Sequence, residues 1–250
     1  MLTVQQYLDE LGLQGRLLLQ AARQSGLQAS VPSCPGWSVS RLLGHTTRVH
    51  RWASWIVRGG DRDEFEFRPP EDSALFEVYE AGLHEVLGRL RAAPNNLAVW
   101  TITPASSAKL FWARRIAHET AIHRVDADLA SGYGVAAFEP EFAADGIDEL
   151  LTGSAARFDR SGLTGDRTVS LTPLDFNSSW TLSIGPDLLS CRPVALDHAD
   201  LAVFGLASDL YRWVWNRAGD DDVSLRGDLS LADRWRQDFT VRARHRPRSG

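Results

Sequence analysis

The first part of the chain carries apolar residues at helical spacing, broken by short polar or Pro/Gly-rich segments. Over residues 3–24, Leu8, Leu11, Leu18 and Leu19 recur at mixed three- and four-residue steps, and Gly26 ends the run. A rigid connector follows, "VPSCPGW" at residues 31–37. Ser38 is then an N-cap for a second helix reaching Val57, which "RGGDRD" stops. A third helix is predicted over 73–92, a fourth over 108–131 and a fifth over 142–157. Long helices with short polar connections predict an up-and-down four-helix bundle.

The pattern changes after "DRSGLTGDR" at 159–167. "TVSLTPL", "SWTLSIG" and "LLSCRPV" read as strands separated by turn residues, and "ADLAVFG" as a further one. "LASDLYRWVWNR" is amphipathic and helical, "DDVSLRGD" a short strand and turn, and "LSLADRWRQDF" a last helix. The expected architecture is a mostly α N-terminal bundle over 1–158 followed by a smaller α+β domain over 165–245. Trp213 and Trp215 are expected to pack the two domains together.

Composition narrows the function classes. Of 250 residues, 44% are hydrophobic and 24% charged, which is ordinary for a globular protein. Lys+Arg 27 against Asp+Glu 32 gives a net charge of −5, so bulk charge does not favour nucleic acid. The basic tail "RARHRPRSG" at 242–250 reads as a solubilising end. Two cysteines, Cys34 and Cys191, build no disulfide framework and read as packing residues. The N-terminus lacks a signal-peptide pattern and no apolar run is long enough to span a membrane, so a cytoplasmic location is expected. Nine Trp, one Met and an Arg-dominated basic set match coding from a GC-rich genome.

The stretch "RIAHETAIHRVDADLA" at 115–130 crowds His118, Glu119, His123 and Asp126 together. At ~100° per residue, Glu119, His123 and Asp126 share a stripe with Trp112 and Ile116, and His118 points about 120° away. Arg114, Thr120, Arg124 and Asp128 make the expected solvated arc. A carboxylate and an imidazole on an apolar stripe are costly to bury unpaired. Either Glu119 pairs with an Arg and His123 is a satisfied core histidine, or the two hold a divalent metal such as Zn²⁺. Helix two offers His45, on the stripe of Leu42, Val49, Trp52 and Ile56, and also His50. His45, Glu119 and His123 would make three inward ligands with an open position. Asp126 is either a carboxylate that orients a ligand imidazole or a surface or cap residue.

Residues 31–53, "VPSCPGWSVSRLLGHTTRVHRWA", together with "HETAIHRVDADLA" at 118–130, resemble the paired motifs of the actinobacterial mycothiol-dependent maleylpyruvate isomerase family, within the DinB-like superfamily of metal-binding bundles. "ADLAVFGLASDLYRWVWNRAGDDDVSLRGD" at 199–228 resembles that family's small C-terminal domain, so the resemblance spans nearly the whole chain. It implies a divalent metal, usually zinc, on His45, Glu119 and His123, with His118 a non-ligand. It also implies a basic residue from the C-terminal domain near the site, for which Arg217 and then Arg226 are the candidates. Mycothiol is the implied thiol cosubstrate, taken with a small electrophilic substrate by a monomer or homodimer. The thiolate would add to a cis double bond, allow rotation to trans and be eliminated, and an Arg would hold a substrate carboxylate. An S-transferase fits the same site. A non-catalytic metal-binding regulatory module and a metal-dependent hydrolase are the competing readings.

Overall fold

The computed structural model describes residues 2–154, 166–185, 189–194, 196 and 198–238. The basic tail lies outside them. The chain divides into two compact units between Ala136 and Ala137.

The first unit is built from α1 (Val4–Ser25), α2 (Val39–Val57), α3 (Leu75–Ala92) and α4 (Ala108–Ser131). Local chemistry sets their ends. Thr3 and Gln6 form a capping box at the start of α1. The side chains of Ser38 and Ser107 accept from the amides of Arg41 and Leu110, which otherwise have no helical partner. Gly132 closes α4 in the left-handed conformation, φ 74°, which glycine adopts without a Cβ penalty.

The four helices form the expected bundle, but neighbours in sequence do not all alternate in direction. Ser40 at the start of α2 donates to Asp72, just before α3, so α2 and α3 begin at the same end. Arg23, near the end of α1, meets Glu80 and Phe76 early in α3, so those two run oppositely. Tyr7 packs on His118 and Gln14 bonds Arg124, so α1 and α4 run together. His45 meets His123 while Trp52 meets Trp112, so α2 and α4 are antiparallel. The order is up-down-down-up. The long 58–74 connector, which carries the chain back along the bundle, makes two consecutive parallel helices possible.

α4 departs most from its pattern. The arc expected to be solvated is largely covered: Thr120 is 0% exposed and Arg124 1%. The Arg124 guanidinium is tolerated there because Gln14 Oε1, Asp128 Oδ2 and the Ala136 carbonyl accept from it, at 3.0, 2.6 and 2.8 Å.

The second unit begins with α5 (Pro140–Asp148), which continues as a π-helical segment, Glu149–Ser154. The sequence pattern places this helix in the bundle. Instead Phe138 and Phe142 pack on Tyr211 of α6 (Ala207–Val214), with ring centroids 5.2 and 6.4 Å away. A five-stranded sheet in the order β3-β2-β1-β4-β5 is built from β1 (Arg167–Pro173), β2 (Trp180–Ile184), β3 (Leu189–Arg192), β4 (Leu201–Gly205) and β5 (Ser224–Gly227). β1 and β4 are parallel and the other pairs antiparallel. α7 (Ser230–Asp238) completes the described chain. Trp213, expected at a domain contact, stacks on Trp235 of α7 at 5.6 Å and donates to Asp220. It is a core residue of the second unit. Among the described residues no helix is long and apolar enough to cross a membrane.

Candidate metal centre

α2 and α4 lie side by side in the first unit, and their inward stripes meet at His45, Glu119 and His123. One donor atom from each falls within 4.8 Å of the others. Glu119 Oε1 is 3.4 Å from His45 Nε2 and 3.2 Å from His123 Nε2. Donor atoms each ~2.0–2.1 Å from one tetrahedral zinc stand roughly 3.3 Å apart. The donor set, two imidazoles and one carboxylate, also suits zinc. The residues therefore fit a divalent ion in chemistry, and Glu119 Oε1 stands at the matching separation from both imidazoles.

The surrounding groups orient these donors. His123 Nδ1 faces Asp126 Oδ2 at 2.8 Å, which leaves Nε2 toward the cluster. Asp126 is fully buried, not a surface residue, and also accepts from Ser33 Oγ at 2.5 Å and Cys34 Sγ at 3.5 Å. One carboxylate thus ties the "VPSCPGW" connector to the α4 imidazole. Cys34 is half-buried, and its amide donates to the Val31 carbonyl, so it holds the connector as well as the carboxylate.

Glu119 Oε2 accepts from Arg115 Nη2 at 2.9 Å, one turn earlier. The Glu–Arg pair and the His–Glu–His cluster, alternatives in the sequence, coexist because the carboxylate has two oxygens. Arg115 escaped the sequence reasoning. Its signal was the i, i+4 spacing to Glu119, which favours such a pair on a helix.

Electrostatics follow from this packing. Burial disfavours the His123 imidazolium, but hydrogen bonds to Asp126 and Glu119 outweigh it and raise the group to about 9. Burial also works against the Glu119 carboxylate, yet the two histidines and Arg115 hold it well below the usual range. His50, the second histidine of α2, is 0% exposed and outside the cluster. Its Nε2 lies 2.8 Å from Thr120 Oγ1, and burial drives it down to about 3, so it stays neutral.

His118, the most conspicuous neighbour of Glu119, is buried edge-on to Tyr7, 6.1 Å away, on the side facing α1. Trp37, the last residue of the "VPSCPGW" connector, stands at the cluster: its ring is 5.2 Å from His45 and 6.4 Å from His123, nearly parallel to the latter. Trp52 packs instead with Trp100 and Trp112. Arg217 and Arg226 belong to the second unit. Arg217 Nη1 donates to the Trp215 carbonyl at 2.7 Å, and the exposed Arg226 lies 5.3 Å from the Phe204 ring. Cys191 sits on β3, where burial and then Asp148 push its thiol up to about 11, in keeping with a packing role.

A helical bundle with an inward His–Glu–His cluster, followed by a small α+β unit, defines the class of protein. The family model for the mycothiol maleylpyruvate isomerase N-terminal domain matches residues 8–128, and the model for the C-terminal domain of the same proteins matches 141–234. The chain belongs to the mycothiol-dependent maleylpyruvate isomerase family. The crystal structure of a mycothiol-dependent maleylpyruvate isomerase has a similar fold, with a TM-score of 0.63 at 15% identity, covering 90% of this chain and 93% of that one. A histidine-to-alanine mutant of that enzyme gives a TM-score of 0.62 with the same identity and coverage. No curated protein matches the chain.

Proposed function

We propose that this protein is a metal-dependent, mycothiol-using isomerase or S-transferase acting on a small electrophilic substrate. The observation that carries this reading is the His45–Glu119–His123 cluster, with donor separations of 3.2 and 3.4 Å in a chain of this family. His45 Nε2, Glu119 Oε1 and His123 Nε2 would hold the ion. When bound, a divalent ion with an open position lowers the pKa of a small-molecule thiol, so that thiolate is available near neutral pH.

The chain's own groups then have distinct tasks. Asp126 fixes the His123 ring and its tautomer. Arg115 engages Glu119 Oε2 and leaves Oε1 turned to the two imidazoles. Trp37 covers one side of both imidazoles with an apolar face. The cosubstrate thiolate adds to the electrophile and forms a C–S bond. In isomerisation the C–S bond forms as the C=C π pair moves onto the conjugated carbonyl, the single bond left behind rotates, and return of that pair re-forms the C=C and expels the thiolate. In S-transfer a leaving group departs with the displaced electron pair.

The test is turnover of maleylpyruvate and of a simple alkylating electrophile by the zinc-loaded protein, with and without mycothiol. Mycothiol-dependent turnover that chelation abolishes and zinc restores is the expected result. Thiol-independent hydrolysis would favour a metallohydrolase. Stoichiometric zinc with no turnover of either electrophile would favour a non-catalytic metal-binding module.

A further inference from the structure

Arg41 lies one turn before His45 on α2, so the two side chains leave the helix in nearly the same direction. Its guanidinium carbon is 4.8 Å from the centre of the Trp37 ring. That same indole is 5.2 Å from the His45 ring and nearly parallel to His123, 19° between planes. Arg41, Trp37 and the two histidines therefore form one continuous wall. The cation at its outer end is exposed, and among the described residues no carboxylate pairs with it. Arg115, the other cation at the cluster, is committed to Glu119. Arg58 and Arg62 also lie over tryptophans, at 4.3 and 5.1 Å, but among the described residues Trp55 and Trp100 pair with Phe65, Trp52 and Trp112 and not with the cluster histidines.

A guanidinium is always charged, and its planar fork matches a carboxylate. Resting on an indole holds that fork in place, so less freedom is lost when an anion binds. We propose that Arg41, seated on Trp37, is the carboxylate-recognition residue of this site, and that it selects small electrophiles bearing a carboxylate. A carboxylate gripped by Arg41 would lay the rest of a small molecule along the indole toward the three donors. This deepens the reading above and rests on it for the identity of the site.

The direct test is calorimetric titration of the zinc-loaded protein with maleate, a dicarboxylate probe that needs no turnover. Arg41 is exposed and its side chain makes no hydrogen bond in the described residues, so Arg41→Ala retains the fold, verified by its melting temperature. The expected result is at least tenfold weaker maleate binding by Arg41→Ala, with Arg41→Lys intermediate. Equal affinity in wild type and Arg41→Ala overturns the proposal, as does absence of binding by wild type. In the thiol-transfer assay, Arg41→Ala should raise KM for a carboxylate-bearing electrophile and leave KM for its methyl ester unchanged. An unchanged KM for both overturns Arg41 alone. Failure of all thiol-dependent turnover defeats the functional reading, and the maleate titration still decides the role of Arg41.

Discussion

Asp126 Oδ2 lies 2.8 Å from His123 Nδ1, on the opposite side of the imidazole from Glu119. The carboxylate is fully buried and moored by Ser33 and Cys34 from the connector before α2. Such a partner sets which imidazole nitrogen faces the ion and raises its basicity. Asp126→Asn should weaken zinc binding by roughly 10–100-fold while leaving the helices formed. Competition with a chromophoric chelator measures this, and wild-type affinity in the variant would remove Asp126 from the site.

Protonation should couple to folding at the same imidazole. In the metal-free protein His123 titrates at about 9 against an ordinary value of 6.5, so the folded state holds the proton more tightly. Its contribution is fully present below pH 6.5 and is lost as pH rises toward about 9. The metal-free protein should lose stability across that window, on the order of a few kcal/mol. His123→Gln should flatten the profile. Glu119 adds the opposite dependence at acid pH, because its depressed carboxylate stabilises the fold above the usual carboxylate range and loses that effect as it protonates. Zinc must displace the His123 proton, so zinc uptake at pH 7 should release it to buffer. Denaturant melts against pH and calorimetry in buffers of differing ionisation enthalpy give the two readings.

The histidines of α4 should separate by phenotype. His45→Ala and His123→Ala should each lose stoichiometric zinc. His118→Ala should keep it, because that ring packs on Tyr7 and lies outside the cluster. Its cost should appear as stability, roughly 1–3 kcal/mol, since it vacates a site that is 0% exposed. Metal analysis beside thermal melts distinguishes the two groups. Zinc loss in His118→Ala, or full retention in both of the others, would contradict the assignment.

The second unit should depend on its own tryptophan pair. Trp213 is 0% exposed, stacked on Trp235 and bonded to Asp220. Trp213→Ala should cost roughly 3–5 kcal/mol through the cavity it leaves. Zinc stoichiometry of the folded variant should be unchanged, because the three donors all lie in the first unit. Denaturant unfolding and metal analysis of one preparation check both.

Much of this arrangement is written locally. Ser38 and Ser107 cap their helices and Gly132 ends α4 as their residue types dictate, since a cap satisfies backbone groups within one turn. The stripe shared by Glu119 and His123, and the turning away of His118, follow from helical periodicity alone. What neighbours decide was not legible. Thr120 and Arg124 read as solvated because single-helix geometry cannot know that other helices cover their arc, or that Gln14 and Ala136 supply partners. The shared direction of α2 and α3 depends on the course of the 58–74 connector, and the place of α5 on Phe138 and Phe142 meeting Tyr211. The sequence by itself determined which residues line each helix face, because that is fixed by 3.6 residues per turn. Only the tertiary structure brought His45, 74 positions away, to 3.4 Å from Glu119, because that separation is set by how two helices pack.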